Sequence, residues 1–157
     1  MMYLKRVFKR KSFIEKVETY FTRSIKKIFR KTKHSYPSKK PRVSIQSSDD
    51  VFIEKLYRIL DKNIYEENLK AGKIANELHM SHSSMYKKIK LITGKSYVQF
   101  IREYRLSIAK VLLEKKGYSV SDTCYMTGYS DRKYFSKLFK KQHGNTPSFY
   151  YKKKELH

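Results

Sequence analysis

The sequence predicts an all-α fold, and three observations carry that expectation. Apolar residues recur at intervals of three and four along most of the chain. Serine and threonine stand where helices would start and glycine where they would stop, as at Ser119, Thr146, Gly128 and Gly144. Apolar residues make up only 39% of the chain, with 5 glycines and 3 prolines, which suits a small helical protein with much polar surface. A length of 157 residues fits one domain of about 100 residues plus an extension, here divided as a basic extension and linker over residues 1–46 and a compact domain over 47–157.

In the extension, Leu4, Val7, Phe8, Ile14, Val17, Phe21, Ile25 and Ile28 fall at roughly helical spacing among lysines and arginines. An amphipathic basic helix over residues 3–31 follows. Three readings of it stay open: a helix that docks on a neighbouring domain or on itself, a coil that makes a homodimer, and a membrane-surface anchor. From Thr32 to Ser48 come Pro37, Pro41, several serines and a cluster of charges, the composition of a linker.

The compact domain starts with a Ser47/Ser48 cap and a helix to about Asn63, whose Phe52, Leu56, Ile59 and Leu60 form an apolar stripe. A second helix near Ala71–Leu78 carries Ile74, Ala75 and Leu78. The turn His79-Met80-Ser81 leads into a third helix from His82 to about Ile92, with Met85, Ile89 and Ile92 inward and Ser83, Tyr86, Lys87 and Lys90 outward. Ser96 with Gln99 caps a connecting helix that runs to about Lys115, its apolar residues Ile101, Tyr104, Ile108, Val111 and Leu112 recurring at three and four. Ser119 with Asp122 opens the next helix, and Gly128 takes the left-handed conformation that stops it. The sixth helix starts at Ser130 and runs to about His143, with Tyr134, Phe135, Leu138 and Phe139 on one side and Lys133, Ser136, Lys137 and Lys140 on the other. Gly144 ends it, and Thr146-Pro147 opens a short closing helix. Seven short helices thus make two helix-turn-helix units.

The two units form an internal repeat. Ser81 corresponds to Ser130, and after one extra residue in the later turn Met85 matches Phe135, Lys87 matches Lys137, Lys90 matches Lys140 and Gly94 matches Gly144. The outward positions 83, 86, 87 and 90 then map to 133, 136, 137 and 140. Packing alone would not require two equivalent polar faces.

Gly128-Tyr129-Ser130-Asp131, Tyr134-Phe135-Ser136, Phe139-Lys140-Lys141, Gly144 and Thr146-Pro147-Ser148 with Tyr150 make an ordered series. It resembles the C-terminal DNA-binding domain of the AraC/XylS family of bacterial transcription regulators. Arg105 to Leu113 likewise looks like the family's connecting helix, so the likeness covers about residues 48–152. Thr123-Cys124 stands where an Ile-Ala pair is usual, and Tyr151 where an arginine is usual. The resemblance implies that the second helix of each unit reads double-stranded DNA. The matching base-contacting positions are Ser83, Tyr86 and Lys87 in the first and Arg132, Lys133, Ser136 and Lys137 in the second. Lysine and arginine donate to guanine O6 and N7, serine serves several bases, and Tyr86 can meet a thymine methyl or a phosphate. Ser81, His82, Lys90, Ser130 and Lys140 are assigned to phosphates, which position a protein without specifying sequence. A connector of about twenty residues spans roughly 30 Å, close to the roughly 34 Å between successive major grooves on one face. The family also implies RNA polymerase or a separate sensory protein as a partner, because 157 residues leave no room for the usual effector-binding or phosphoacceptor domain.

Charge agrees with that partner. Lys and Arg number 37 against 14 Asp and Glu, a net +23, which calls for nucleic acid or an anionic membrane. Residues 1–46 hold 15 basic and 2 acidic side chains, a net of 13, and residues 47–157 hold 22 and 12, a net of 10. No apolar run approaches a transmembrane span, the start lacks a secretory core, and the single cysteine leaves no disulfide framework, so a cytoplasmic location is expected and a membrane partner is disfavoured. Cys124 falls on an apolar helix face, as core packing rather than a nucleophile. His79 and His82 flank a turn without further ligands, and no phosphate-cradling glycine loop or carboxylate pair stands out. The reading is a sequence-specific transcription regulator that is not an enzyme and takes no cofactor or metal. Its rival is a basic interaction or membrane-surface protein in which residues 3–31 do the work and the folded domain binds DNA only loosely.

Overall fold

The computed structural model describes residues 48–116 and 118–155. The helix expected over residues 3–31 and the linker as far as residue 47 lie outside the described residues. Ser48–Lys62 falls in one compact unit and Asn63 onward in a second.

The first helix, α1 (Ser48–Asn63), carries Asp49 and Asp50 in its first turn, where carboxylates meet the positive end of the helix dipole. Phe52, Ile53, Leu56, Ile59 and Leu60 are buried as one stripe.

The second unit holds α2 (Ala71–Glu77), α3 (His82–Thr93), α4 (Tyr97–Val111), α5 (Val120–Met126), α6 (Arg132–His143) and α7 (Pro147–Glu155). Every start but that of α2, which follows Lys70, has a side-chain cap. Ser81 Oγ accepts from Ser84 N at 3.2 Å, and Ser96 Oγ accepts from Gln99 N at 3.3 Å. Ser119 Oγ accepts from Asp122 N at 3.1 Å and donates to the Asp122 carboxylate at 2.8 Å, so the carboxylate meets the hydroxyl and not the Ser119 backbone N–H of the expected reciprocal cap. The start of α6 differs from expectation. Asp131 rather than Ser130 caps it, its Oδ1 accepting from Lys133 N at 2.7 Å and Tyr134 N at 3.0 Å, so the helix opens at Arg132.

The connector also differs. It is α-helical for 15 residues, about 22 Å at 1.5 Å per residue, and then widens into a π-helical segment, Leu112–Lys116, rather than continuing as an α-helix to Lys115. Both Leu112 and Leu113 are buried there.

In the first helix-turn-helix, α2 packs on α3 and α3 on α4, enclosing Ile74, Ala75, Met85 and Ile89. The second has a larger aromatic core of Leu106, Ala109, Leu113, Cys124, Phe135, Phe139 and Tyr150. Ring centroids of Phe135 and Phe139 lie 5.7 Å apart, and those of Phe139 and Tyr150 5.5 Å in an edge-on contact. Thr123 and Cys124 are fully buried, filling the place of the family's Ile-Ala pair.

Polar contacts fix α6 on α4. Gln142 Nε2 donates to the Glu103 carbonyl at 3.0 Å and to Ser107 Oγ at 3.2 Å. His143 Nε2 donates to the Leu106 carbonyl at 3.0 Å, and the Tyr150 hydroxyl donates to the His143 carbonyl at 2.8 Å. Burial holds the His143 pKa below its ordinary value, outweighing the upward pull of the Leu106 carbonyl.

The equivalent turns meet different demands. Gly128 has φ +75°, and a Cβ added there would stand 2.7 Å from the Ile64 carbonyl oxygen and 2.9 Å from Arg105 Cζ. His79, at the matching place in the first unit, has φ 55° and is exposed. A left-handed conformation costs a residue with a Cβ about 1–2 kcal/mol. Gly128→Ala is therefore expected to destabilise by about 2 kcal/mol or more, strain and clash together, while His79→Gly should be neutral or gain up to about 1 kcal/mol. Denaturant unfolding of both variants checks the contrast. For His143, a folded pKa below the unfolded 6.5 means that the unfolded chain takes the proton first as pH falls. The His143 contribution is present above pH 6.5 and is lost as the pH falls from there through the lower folded value. Unfolding midpoints at pH 7.5 and at about 5.5 should separate more for the wild type than for His143→Gln.

Candidate nucleic-acid interface

One side of α3 and one side of α6 carry the assigned residues. On α3, Ser83, Tyr86, Lys87 and Lys90 are exposed, at spacings of three, one and three that put them on a single helix face. On α6, Arg132, Lys133, Lys137 and Lys140 are exposed and Ser136 is partly so, at the spacing that repeats the α3 face. The buried residues Met85 and Ile89 on one helix, and Phe135 and Phe139 on the other, aim these faces away from the core.

The two faces differ in what their side chains already do. Lys90 Nζ donates to the Gly94 carbonyl at 2.7 Å, closing the end of its own helix. Tyr86, 42% exposed, is held at one side by the Tyr97 ring, centroids 5.3 Å apart, and faces the His82 ring at 6.3 Å. Ser81 is occupied as the cap and lies 3.1 Å from Ser83 Oγ. Ser130 donates to the carboxylate of Glu67. By contrast, Arg132, Lys133, Lys137, Lys140 and Lys141 of α6 have no ion pair or side-chain hydrogen bond among the described residues. The described ion pairs of this unit, Lys73–Glu66 at 2.6 Å, Lys95–Glu103 and Lys110–Glu114 at 4.0 Å, lie off both faces. Side chains free of any hydrogen bond or ion pair among the described residues are thus more numerous on the α6 face than on that of α3.

Tyr134 does not join the buried side of α6 that its spacing predicts; it is 52% exposed. Phe135 and Phe139 take the centre of the buried side, which leaves position 134 on the flank with Lys137 and Lys141, three and seven residues on. The corresponding flank of α3 holds Leu91, 80% exposed.

Several side chains that set this geometry are absent from the sequence-derived site. Asp131 fixes the first turn of α6, Gln142 and His143 fix its last turn, and Arg105 with Glu67 joins the two units. Other chemistry finds little support. Burial pushes the Cys124 thiol up to about 11, so no thiolate forms near neutral pH, and the thiol donates to the Tyr129 carbonyl at 3.4 Å. Among the described residues no group of three or more His, Cys, Asp or Glu could hold a metal ion, and no helix is long and apolar enough to cross a membrane.

Residues 74–153, just over half of the 157, match the family model described as a helix-turn-helix domain. Over 126 residues the chain is 34% identical to Histidine kinase P4 of Formosa agariphila, a match that covers 80% of this chain and 9% of that protein. The chain spans 36% and 47% of two further curated relatives, less than half of each. A DNA-binding transcriptional dual regulator from Escherichia coli K-12 superposes with a TM-score of 0.62 at 27% identity, over 74% of this chain and 100% of that one. A regulator from Chromobacterium violaceum, described by its AraC-type DNA-binding domain, shares the fold at a TM-score of 0.60 and 21% identity, over 66% of this chain and 92% of that one. Two helix-turn-helix units on one connecting helix, the matched polar faces and these likenesses together show that the chain belongs to the AraC/XylS family of DNA-binding transcription regulators.

Proposed function

We propose that α3 and α6 lie in adjacent major grooves of an asymmetric duplex site of about two helical turns, and that the chain regulates transcription from there. The observation that carries this is the pair of matched outward faces, 83, 86, 87 and 90 on α3 and 133, 136, 137 and 140 on α6, joined by α4 within one compact unit. Ser83, Tyr86, Lys87, Arg132, Lys133, Ser136 and Lys137 contact bases, and Ser81, His82, Lys90, Ser130 and Lys140 contact phosphates. In the complex, the Ser130 hydroxyl keeps its Glu67 partner and the residue meets phosphate through its backbone N–H. The chain is not an enzyme, a reading supported by the burial and raised pKa of Cys124. It works in the cytoplasm. Its protein partner is RNA polymerase or a separate sensory protein, the latter in keeping with a relative that is named a histidine kinase. The basic residues 1–46 add a nonspecific, salt-sensitive hold on DNA or pair two copies of the chain.

Selection of bound fragments from random duplex DNA tests the reading and yields the site. Enrichment of one asymmetric sequence is expected; protection of a single half-turn, or no preferred sequence, would count against it. A vesicle co-sedimentation arm covers the alternative, since strong binding to anionic vesicles without sequence choice on DNA would favour a membrane-surface role.

On the selected site, Lys87→Ala and Lys137→Ala should each relax preference at separate base positions by about 1–3 kcal/mol where the contact is bidentate to guanine. Lys140→Ala should weaken all sequences alike and lower the salt slope by about one. Binding curves on selected and scrambled duplexes at several salt concentrations distinguish the two patterns. A Lys137→Ala protein with intact sequence preference, beside a Lys140→Ala protein with altered preference, would reverse the assignment.

A further inference from the structure

We propose that Arg105 is a positioning residue that sets the allowed spacing between the two half-sites, with the Glu67–Ser130 bridge as its outer support. The proposal rests on both helices reading DNA.

Arg105 lies midway along α4 and is only 8% exposed. Its Nη1 donates to the Gly128 carbonyl at 3.2 Å and reaches the Glu67 carbonyl at 3.5 Å, while Nη2 donates to the Glu66 carbonyl. Glu66 and Glu67 belong to the segment that enters the first helix-turn-helix, and Gly128 is the turn inside the second. One side chain thus ties both units to the helix between them. A planar guanidinium with fixed, diverging N–H groups suits three carbonyls converging from two directions, which a lysine ammonium on a flexible stem does not.

Two independent contacts mark the same seam. The missing Cβ of Gly128 lets the Ile64 carbonyl approach the turn directly. Ser130 donates to the Glu67 carboxylate at the exposed rim.

α4 carries α6 through Gln142 and His143, and the segment ahead of α2 reaches α4 and the second turn through Arg105. The seam thus links what precedes α2 to the turn before α6. With it closed, α3 and α6 hold one separation and one relative rotation. Without the guanidinium, the carbonyls of Glu66, Glu67 and Gly128 lose their shared donor, and the segment entering the first unit is no longer tied to the turn of the second.

DNA supplies the test. Each added or removed base pair shifts one half-site by about 3.4 Å and turns it by about 35°. The full chain, wild type and Arg105→Lys, would be titrated against the selected duplex and against duplexes with one base pair inserted or deleted between the half-sites. Wild type should lose about tenfold or more on either change, as when one half-site goes out of register. Arg105→Lys should bind the selected duplex more weakly, and its ratio between selected and re-spaced duplexes should fall toward unity.

Glu67→Ala, at the exposed rim, should show the same trend to a smaller degree, while Glu67→Gln, which keeps an acceptor for Ser130, should retain the wild-type ratio. Should Arg105→Lys not melt cooperatively, the Glu67 pair decides. An unchanged ratio in a folded Arg105→Lys protein, or equal ratios for Glu67→Ala and Glu67→Gln where only that pair folds, overturns the proposal while leaving sequence reading intact. A wild type with no preferred sequence would instead sink the reading on which it rests.

Discussion

A buried guanidinium is the constraint on which the two-unit arrangement depends. Taking a cation out of water costs several kcal/mol unless its hydrogen bonds are replaced. For Arg105 the replacements are main-chain carbonyls at Glu66, Glu67 and Gly128, from segments 38 or 39 residues before it and 23 after it. Those carbonyls come together only when both helix-turn-helix units are folded and docked. The charge therefore makes the docked arrangement cooperative: partial opening strands a cation in a dry site, while full closure satisfies both Nη groups. Nε of the same side chain has no hydrogen-bond partner, so the fork, not the whole guanidinium, makes the joint.

Most of the helices were legible in the sequence because their causes are local. Ser81, Ser96 and Ser119 cap helices within three residues of themselves, and a pattern search finds such signals. The start of α6 was misplaced because Ser130 and Asp131 are adjacent and both competent to cap. The carboxylate prevails by accepting two backbone N–H groups, and the serine hydroxyl is drawn to Glu67, 63 residues away. Tyr134 was misread for a related reason, since a helix wheel drawn without the true aromatic core gives a tyrosine and a phenylalanine equal claims on the interior. The joint itself left one trace. Arg105 follows Ile101 by four residues and precedes Ile108 and Leu112 by three and seven, in the middle of the apolar stripe. A charge in that register needs a partner. Only the fold could reveal that the partners are carbonyls far off in the chain.

The faces themselves were read from spacing, and the structure adds the state of their charges. Among the described residues five cations on α6 have no ion pair or side-chain hydrogen bond, as does Lys87 on α3, while Lys90 is turned back to its own helix end and Tyr86 leans on Tyr97. Unpaired cations near a phosphate backbone release counterions on contact, and neutral hydroxyls and rings do not. In the proposed complex the two helices would then contribute by different physics, α6 with a larger salt-sensitive share and α3 with contacts that depend more on fit.

The repeat is therefore a repeat of pattern and not of constraint. His79 and Gly128 occupy the same place in their turns and both adopt positive φ, so the backbone requirement is common to the two units. The surroundings are not. His79 is exposed, and a side chain is tolerated there at the cost of mild strain. At Gly128 the Ile64 carbonyl and the Arg105 guanidinium occupy the space a Cβ would need, so glycine is required by packing as well as by φ. The second turn is where the seam grips, and the residue types follow from that: aromatic core beneath α6, no Cβ at the turn, and polar anchors Gln142 and His143 at the far end of the helix. With its turn and last turn fixed from outside and its first turn capped by Asp131, α6 is held in one orientation on α4, as a helix needs to be if it is to present Arg132, Lys133, Lys137 and Lys140 to a groove.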